Sequence, residues 1–337
     1  MSNKLTFFPA LGEQYTPYPL NGKSVWSTLP SYNKVTVDNI KFKPIIVVEN
    51  LSLPPCIILD NFNNLYVTLD GYPNKLLKYK EQNGVYTNIE FVSDEAWLWG
   101  DNMDLPTTPV AMAFSEDFNY MYVVNFTHNS ITVITMATFE YQYLNITDYI
   151  SFKVGFRFNE PNGLTFSSNF EYMVVTNIKD SNLVKITLTD PFTAKISPFN
   201  KDVPFTQPIL ITVDDKNNFY VSDLTSSQII VVTGENNSEY KIIASSPYIK
   251  EPRGVSFNSE NFNKLWVTNI LNTNIPILGF NVNGKNVVTN RLSNNLFDNP
   301  RGIIFDKYNY MYISNFGDID NKGSILKSLF PVYNLIY

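Results

Sequence analysis

Apolar positions along this chain come in short paired runs separated by polar clusters, and the pairing is written six times. Each unit opens on Pro, with Gly two residues later in three copies, and continues as a short apolar run. It then turns through a polar cluster and closes with an aromatic and Val-rich run ending in Asp or Asn. The copies span Leu53–Asp70, Thr108–Asn125, Glu160–Asn177, Gln207–Asp223, Glu251–Asn269 and Asn299–Asn315. Both runs carry strand signals, continuous or alternating apolar character over a few residues with β-branched and aromatic enrichment. Clusters such as Asp60-Asn-Phe-Asn-Asn and Asp214-Asp-Lys-Asn-Asn are hairpin turns. A third apolar run follows each unit, at Lys75–Lys80, Ser130–Ile134, Leu183–Thr187, Gln228–Val232, Ile275–Phe280 and Ser324–Ser328. A fourth, weaker run leads to the next Pro.

Four antiparallel strands per repeat describe a propeller blade, and six repeats predict an all-β, six-bladed β-propeller. Ile45–Glu49 precedes the first unit, where every later unit is preceded by a fourth strand. It is read as the outer strand of the last blade, closing the ring and removing free sheet edges. The prediction is one propeller domain over residues 45–337. Residues 1–44, rich in Tyr, Pro and Asn, are expected to pack on it as an extended segment, with an added strand near Val35–Val37.

Composition narrows the function. Of 337 residues, 44% are hydrophobic and 17% charged, as in a core-rich folded protein. The 25 Phe and 21 Tyr are read as packing between sheets before any ligand role. A net charge of −6 argues against a nucleic-acid surface. The single Cys56 excludes an intrachain disulfide and reads as a small buried hydrophobe. No stretch has the form of a signal peptide or membrane span, so a cytoplasmic or virion location is expected, without membrane partners. Abundant Asn, Ile, Tyr and Lys suggest an AT-rich genome, as in giant viruses or low-GC microbes, which brings a virion-associated structural role into view.

The loop before the first strand of a blade and the loop after its second strand emerge on one face. That face collects the Pro-containing turns and the residues at Asp70, Asn125, Asn177, Asp223, Asn269 and Asn315. An Asp/Asn ring there can offer oxygen ligands to a cation. The plainer account is that Asx side chains at strand ends hydrogen-bond the next turn. Arg253 and Arg301, in the middle of Pro-Arg-Gly in the last two blades, are candidates to bind a carboxylate or phosphate, or to pair with nearby acids. His128, just after the second strand of the second blade, is a candidate base or an ordinary loop histidine. Ser93–Pro106 breaks the repeat with Trp97 and Trp99, which suit either a partner-contacting loop or packing over the blade edge.

Pro-x-Gly-[Ile/Leu/Val]-x-Phe followed by Tyr-Val-[Ser/Thr]-[Asp/Asn] resembles the NHL repeat, over about residues 53–328. The resemblance implies a propeller. Such propellers include protein and RNA binders, a peptide-amidating lyase, and the related gluconolactonase and paraoxonase families. Glu160-Pro-Asn-Gly is similar to the lactonase motif whose Asn ligates calcium, which would make Asn162 a ligand. Gln207-Pro-Ile-Leu and Pro54-Pro55-Cys56 stand where the lactonase pattern has acidic residues. The lyase's zinc needs His ligands, and this chain has one His.

Two readings follow. The leading one is a non-catalytic scaffold or binding module that takes a protein, a glycan or another polar ligand on the Pro-x-Gly face and needs no cofactor. The competing one is a divergent metal-dependent lactonase or hydrolase, with calcium at the axial mouth near Asn125, Asn162, Asn177 and Asp223.

Overall fold

The computed structural model describes residues 44–70, 75–89, 108–149, 157–200, 202–233, 239–245, 249–258, 261–270, 277–281, 288–292, 294–317, 322–329 and 331–332. Residues 1–43 and the Trp97–Trp99 segment lie outside them. The described residues form six small sheets and no helix.

Blade 1 comprises β2 (Ile57–Leu59), β3 (Leu65–Leu69), β4 (Lys75–Gln82) and β5 (Val85–Ile89). Blade 2 comprises β6 (Pro109–Phe114), β7 (Tyr120–Asn125), β8 (Ser130–Thr135) and β9 (Tyr141–Tyr143). Blade 3 is built on β11 (Pro161–Phe166), β12 (Met173–Asn177), β13 (Asn182–Asp190) and β14 (Thr193–Asn200). Blade 4 holds β15 (Pro208–Val213), β16 (Asn218–Asp223), β17 (Gln228–Thr233) and β18 (Tyr240–Ser245). Blade 5 holds β19 (Pro252–Asn258), β20 (Asn261–Asn269), β21 (Ile277–Asn281) and β22 (Val288–Leu292). Blade 6 joins β23 (Pro300–Phe305), β24 (Met311–Asn315) and β25 (Gly323–Ser328) to β1 (Pro44–Leu51).

The first strands of consecutive blades touch all the way round, β2 to β6, β11, β15, β19, β23 and back to β2. They therefore line the axis. The predicted closure holds: β1 pairs antiparallel with β25, Ile46 opposite Leu326, so the start of the chain completes the last blade. One blade departs from four strands. β10 (Asn145–Tyr149), in the link from blade 2, adds in parallel to the outer edge of β14 and makes blade 3 five-stranded. No antiparallel signal in the sequence announces it, because it pairs across the blade boundary.

Each motif position has a packing role. Tyr66, Tyr122, Tyr220, Trp266 and Tyr312 occupy equivalent places on the second strands and are all buried. Four of these rings meet a Phe at or next to the end of the first strand of the next blade. Tyr66–Phe114 lies at 5.3 Å and 80°, Tyr122–Phe166 at 5.6 Å and 73°, and Tyr220–Phe257 at 4.9 Å and 85°. Trp266–Phe305 is a tilted pair at 6.2 Å. The aromatic wealth thus serves blade-to-blade packing, each such pair being worth about 0.5–1.5 kcal/mol beyond its buried area.

The hairpin turns on the opposite face share one device. Oδ1 of Asp60, Asp214 and Asp306 accepts two backbone N–H groups of its turn, and Oδ2 accepts the hydroxyl of Tyr66, Tyr220 or Tyr312. Asn63, Asn217 and Asn309 supply the left-handed residue that each of these turns needs.

Candidate functional site at the axial mouth

The Pro-x-Gly face is organised by three side-chain positions. The first is the Asx that ends the second strand. Oδ1 of Asn177, Asn269 and Asn315 accepts the backbone N–H of Asn159, Lys250 and Asp298, each two residues before the motif Pro. Asn177 Nδ2 donates to Arg157 O at 2.7 Å and Asn182 Oδ1 at 3.0 Å, and Asn315 Nδ2 donates to Leu296 O at 2.6 Å. Asp223 accepts the N–H of Thr206, Gln207 and Ser226 and the Thr206 hydroxyl. Asn125 donates to Ser130 Oγ and Thr132 Oγ1, while its buried Oδ1 has no partner among the described residues. The Asx position therefore pins three chain segments together.

The second position is the Ser/Thr just before it. Thr176, Ser222, Thr268 and Ser314 accept the N–H of Gly163, Leu210, Gly254 and Gly302 in their own blades. Thr176, Ser222 and Thr268 pass the hydroxyl proton on to the carbonyls of Ile209, Arg253 and Arg301 in the next blade, at 2.6–2.7 Å. Glycine is required where the blades come this close. A Cβ on Gly254 would lie 2.1 Å from Arg301 O, and one on Gly163 would lie 2.5 Å from Ile209 O.

Asp70 does not belong to the Asx ring. In five blades the residue after the Asx donates its N–H to the residue before Pro, as Phe316 does to Asn299 O. In blade 1 that bond runs from Asp70 N to Leu53 O, so Leu69 holds the Asx position and Asp70 sits one residue further on. The register is that of the other blades, Ile57 opposite Val67 as Ile211 is opposite Val221, and Leu69 stands nine residues after Asp60 as Asp223 does after Asp214.

The third position is the x of Pro-x-Gly. Pro55, Val110, Asn162 and Ile209 are buried there, whereas Arg253 and Arg301 are partly exposed. Arg301 stacks on Phe316, its Cζ 3.1 Å from the ring centroid. Burial pushes Arg301 down to about 9, with repulsion from Arg253 adding to the shift and Asp70 opposing it. Burial also lowers Arg253, against the pull of Glu251 and Asp70. Asp70 is raised by burial and drawn back by Arg301 and Arg253. Neither arginine has an ion pair within 4 Å among the described residues, and the Nε of each is buried without a hydrogen-bond partner.

Of the residues singled out from the sequence, Arg253 and Arg301 come together, joined by Asp70. Asp223 does not join them, because its carboxylate is committed to the preceding loop. His128 lies in the β7–β8 turn of blade 2, across the ring from blade 5. Partial burial lowers its imidazole pKa, and its ring contact is Thr127 Oγ1 at 3.4 Å. Asn162 is buried in β11. Among the described residues no group of three or more His, Cys, Asp or Glu side chains could hold a metal ion. Of the four residues named for calcium, Asn177 and Asp223 spend their oxygens on backbone donors.

No protein-family model matches the sequence, and no curated protein sequence does. Solved structures match in shape. Virginiamycin B lyase from Staphylococcus aureus, as a catalytically inactive histidine-to-alanine form with quinupristin, aligns at a TM-score of 0.56 and 14% identity. That alignment covers 86% of this chain and 99% of the lyase. The luciferin-regenerating enzyme aligns at 0.60 and 10% identity, over 85% and 95% of the two chains. A chain of the nidogen/laminin complex aligns at 0.53 and 14% identity, over 72% and 81%. The likeness is one of fold. These neighbours are a lyase, a regenerating enzyme and a member of a protein complex, so the shared propeller shape by itself fixes no chemistry. The described residues contain no helix long and apolar enough to cross a membrane.

Proposed function

We propose that this protein is a non-catalytic binding module that takes a polar ligand or protein partner on its Pro-x-Gly face. One observation carries the reading. Arg253, Arg301 and Asp70 are charged groups on the mouth face whose side chains hold no blade together, while the Asx and Ser/Thr side chains of blades 3, 4 and 5 are used in holding the blades. The likeness in fold to a lyase with quinupristin and to a nidogen/laminin complex chain supports a scaffold that serves small ligands or proteins. The Asn- and Lys-rich composition supports a viral or low-GC microbial setting. The hydrolase reading is less favoured, because the oxygens it needs at Asn177 and Asp223 already accept backbone hydrogen bonds.

The test compares the two faces. Peptide and glycan arrays are probed with the wild-type chain, with Arg253→Ala/Arg301→Ala, and with Asp215→Ala/Lys216→Ala in the β15–β16 turn on the opposite face. Binding lost only in the arginine pair is expected. A ligand held equally well by the arginine variant, or turnover of a lactone and ester panel, would overturn the proposal.

A further inference from the structure

Arg253 and Arg301 stand on touching inner strands, near enough for the charge of Arg253 to act on Arg301, and a fold gains nothing from that repulsion unless something negative comes between them. Among the six positions that follow the motif Pro, arginine stands only in blades 5 and 6, on neighbouring first strands. Their backbones are locked. The Arg253 carbonyl accepts Ser222 Oγ, the Arg301 carbonyl accepts Thr268 Oγ1, and Gly254 lies against Arg301 O. The Arg301 guanidinium is held further by the face of Phe316. The pair is thus presented by rigid inner strands, as a preorganised receptor requires.

A structural arginine at this depth would be expected to have a partner. Elsewhere in the same ring a buried charge does: Lys327 lies 4.0 Å from Asp306, whose Oδ2 also accepts the Tyr312 hydroxyl. Arg253 and Arg301 have no such contact among the described residues, and both Nε–H groups are buried without an acceptor. Asp70 acts on both arginines and Glu251 on Arg253, each at a distance. These two acids keep the local positive surplus small. A phosphate dianion would meet Asp70, whereas a carboxylate brings one charge and two coplanar oxygens that match the guanidinium fork.

We propose that Arg253 and Arg301 together form a receptor for a single carboxylate group of the ligand, with Asp70 disfavouring dianions. This rests on the reading of the face as a binding surface and names the chemistry it selects. The carboxylate could come from a free organic acid or from a peptide chain end, and the two sources share this recognition.

The experiment follows the arginine Nε–H resonances of the full chain, labelled with 15N-arginine, during titration with benzoate, acetyl-glycyl-glycine, benzamide and inorganic phosphate. Saturable shifts of two resonances with benzoate or acetyl-glycyl-glycine, and none with isosteric benzamide, are expected. The tighter of the two acids identifies the source. Arg253→Gln and Arg301→Gln should each weaken binding about tenfold or more, and Arg301→Lys, which keeps the charge but loses the fork, by less. If a variant fails to fold, the wild-type comparison of benzoate with benzamide decides alone. Shifts with phosphate but with neither acid would overturn the carboxylate assignment and leave the face a binding surface. Equal shifts with benzoate and benzamide, or none with either acid, would overturn the assignment whatever the arrays show.

Discussion

Gly254 and Gly302 hold the same place in adjacent blades yet face different neighbours. A Cβ on Gly254 would run into backbone, Arg301 O at 2.1 Å, whereas one on Gly302 meets the Ser314 hydroxyl at 2.9 Å and Ile57 at 3.4 Å. A hydroxyl can turn aside and a neighbouring strand cannot. Gly254→Ala should therefore cost about 3 kcal/mol, against about 1 kcal/mol for Gly302→Ala, in urea unfolding. Equal losses would show that the blades do not approach as closely as described. Lys264 gives a second test. Its ammonium lies 4.9 Å from the Trp266 ring centroid, and burial pushes it down from 10.5 to about 8. The folded chain then releases this proton before the unfolded chain does. The penalty is fully present below pH 8 and is relieved between about pH 8 and 10.5, so this residue's contribution makes stability rise with pH there. Lys264→Met should be more stable than wild type at pH 7, and the gap should narrow at pH 9.5. Denaturant midpoints at the two values check it.

Hydroxyls join neighbouring blades alongside the apolar packing between them. Thr268 takes the Gly254 N–H from its own blade and gives its proton to Arg301 O in the next, bridging β19, β20 and β23. Thr268→Val keeps the shape and leaves two buried backbone groups without this partner, which should cost about 2 kcal/mol. Since Arg301 O is one of those groups, the same substitution should also weaken any ligand that depends on Arg301. Thr268→Ser should restore both, and a calorimetric comparison of the three chains reads this out. Blade 2 has no such relay, because Val124 and Ala111 stand at the Thr and Gly positions. Its first and second strands instead belong to the largest apolar cluster, shared with blades 1 and 3.

Closure makes the ring one cooperative object. β1 supplies Val48 and Leu51 to a cluster that spans blades 6 and 1, and Tyr86 of blade 1 shares a hydroxyl bond with Tyr312 of blade 6 at 2.9 Å. Losing this clasp frees both the edge of β25 and the seam beside it. Val48→Asp places an unpaired carboxylate in that cluster and should cost about 3 kcal/mol or more. It should also broaden the thermal transition and increase binding of a hydrophobic dye. A sharp transition with a small shift would mean that β1 is an addition to the ring rather than its closure.

Periodicity and steric rules act over a few residues, and what depends on them is legible in the chain. Alternating runs, turn clusters and a repeated Pro-x-Gly set the strands, their order, the number of blades and the closing role of β1. The Asx ends were readable as turn caps for the same reason, since an Asn or Asp at a strand end bonds backbone close by. Other features depend on which distant segments come together. The backbone register put Leu69 rather than Asp70 in the ring, and β10 crossed a blade boundary to pair in parallel. The hydroxyl relay and the aromatic contacts join residues of adjacent blades. Arg253 and Arg301 lie 48 positions apart and stacking of blades 5 and 6 sets their strands together, but only closing the ring brings in Asp70 of blade 1. That meeting arises from long-range packing, which no local pattern encodes.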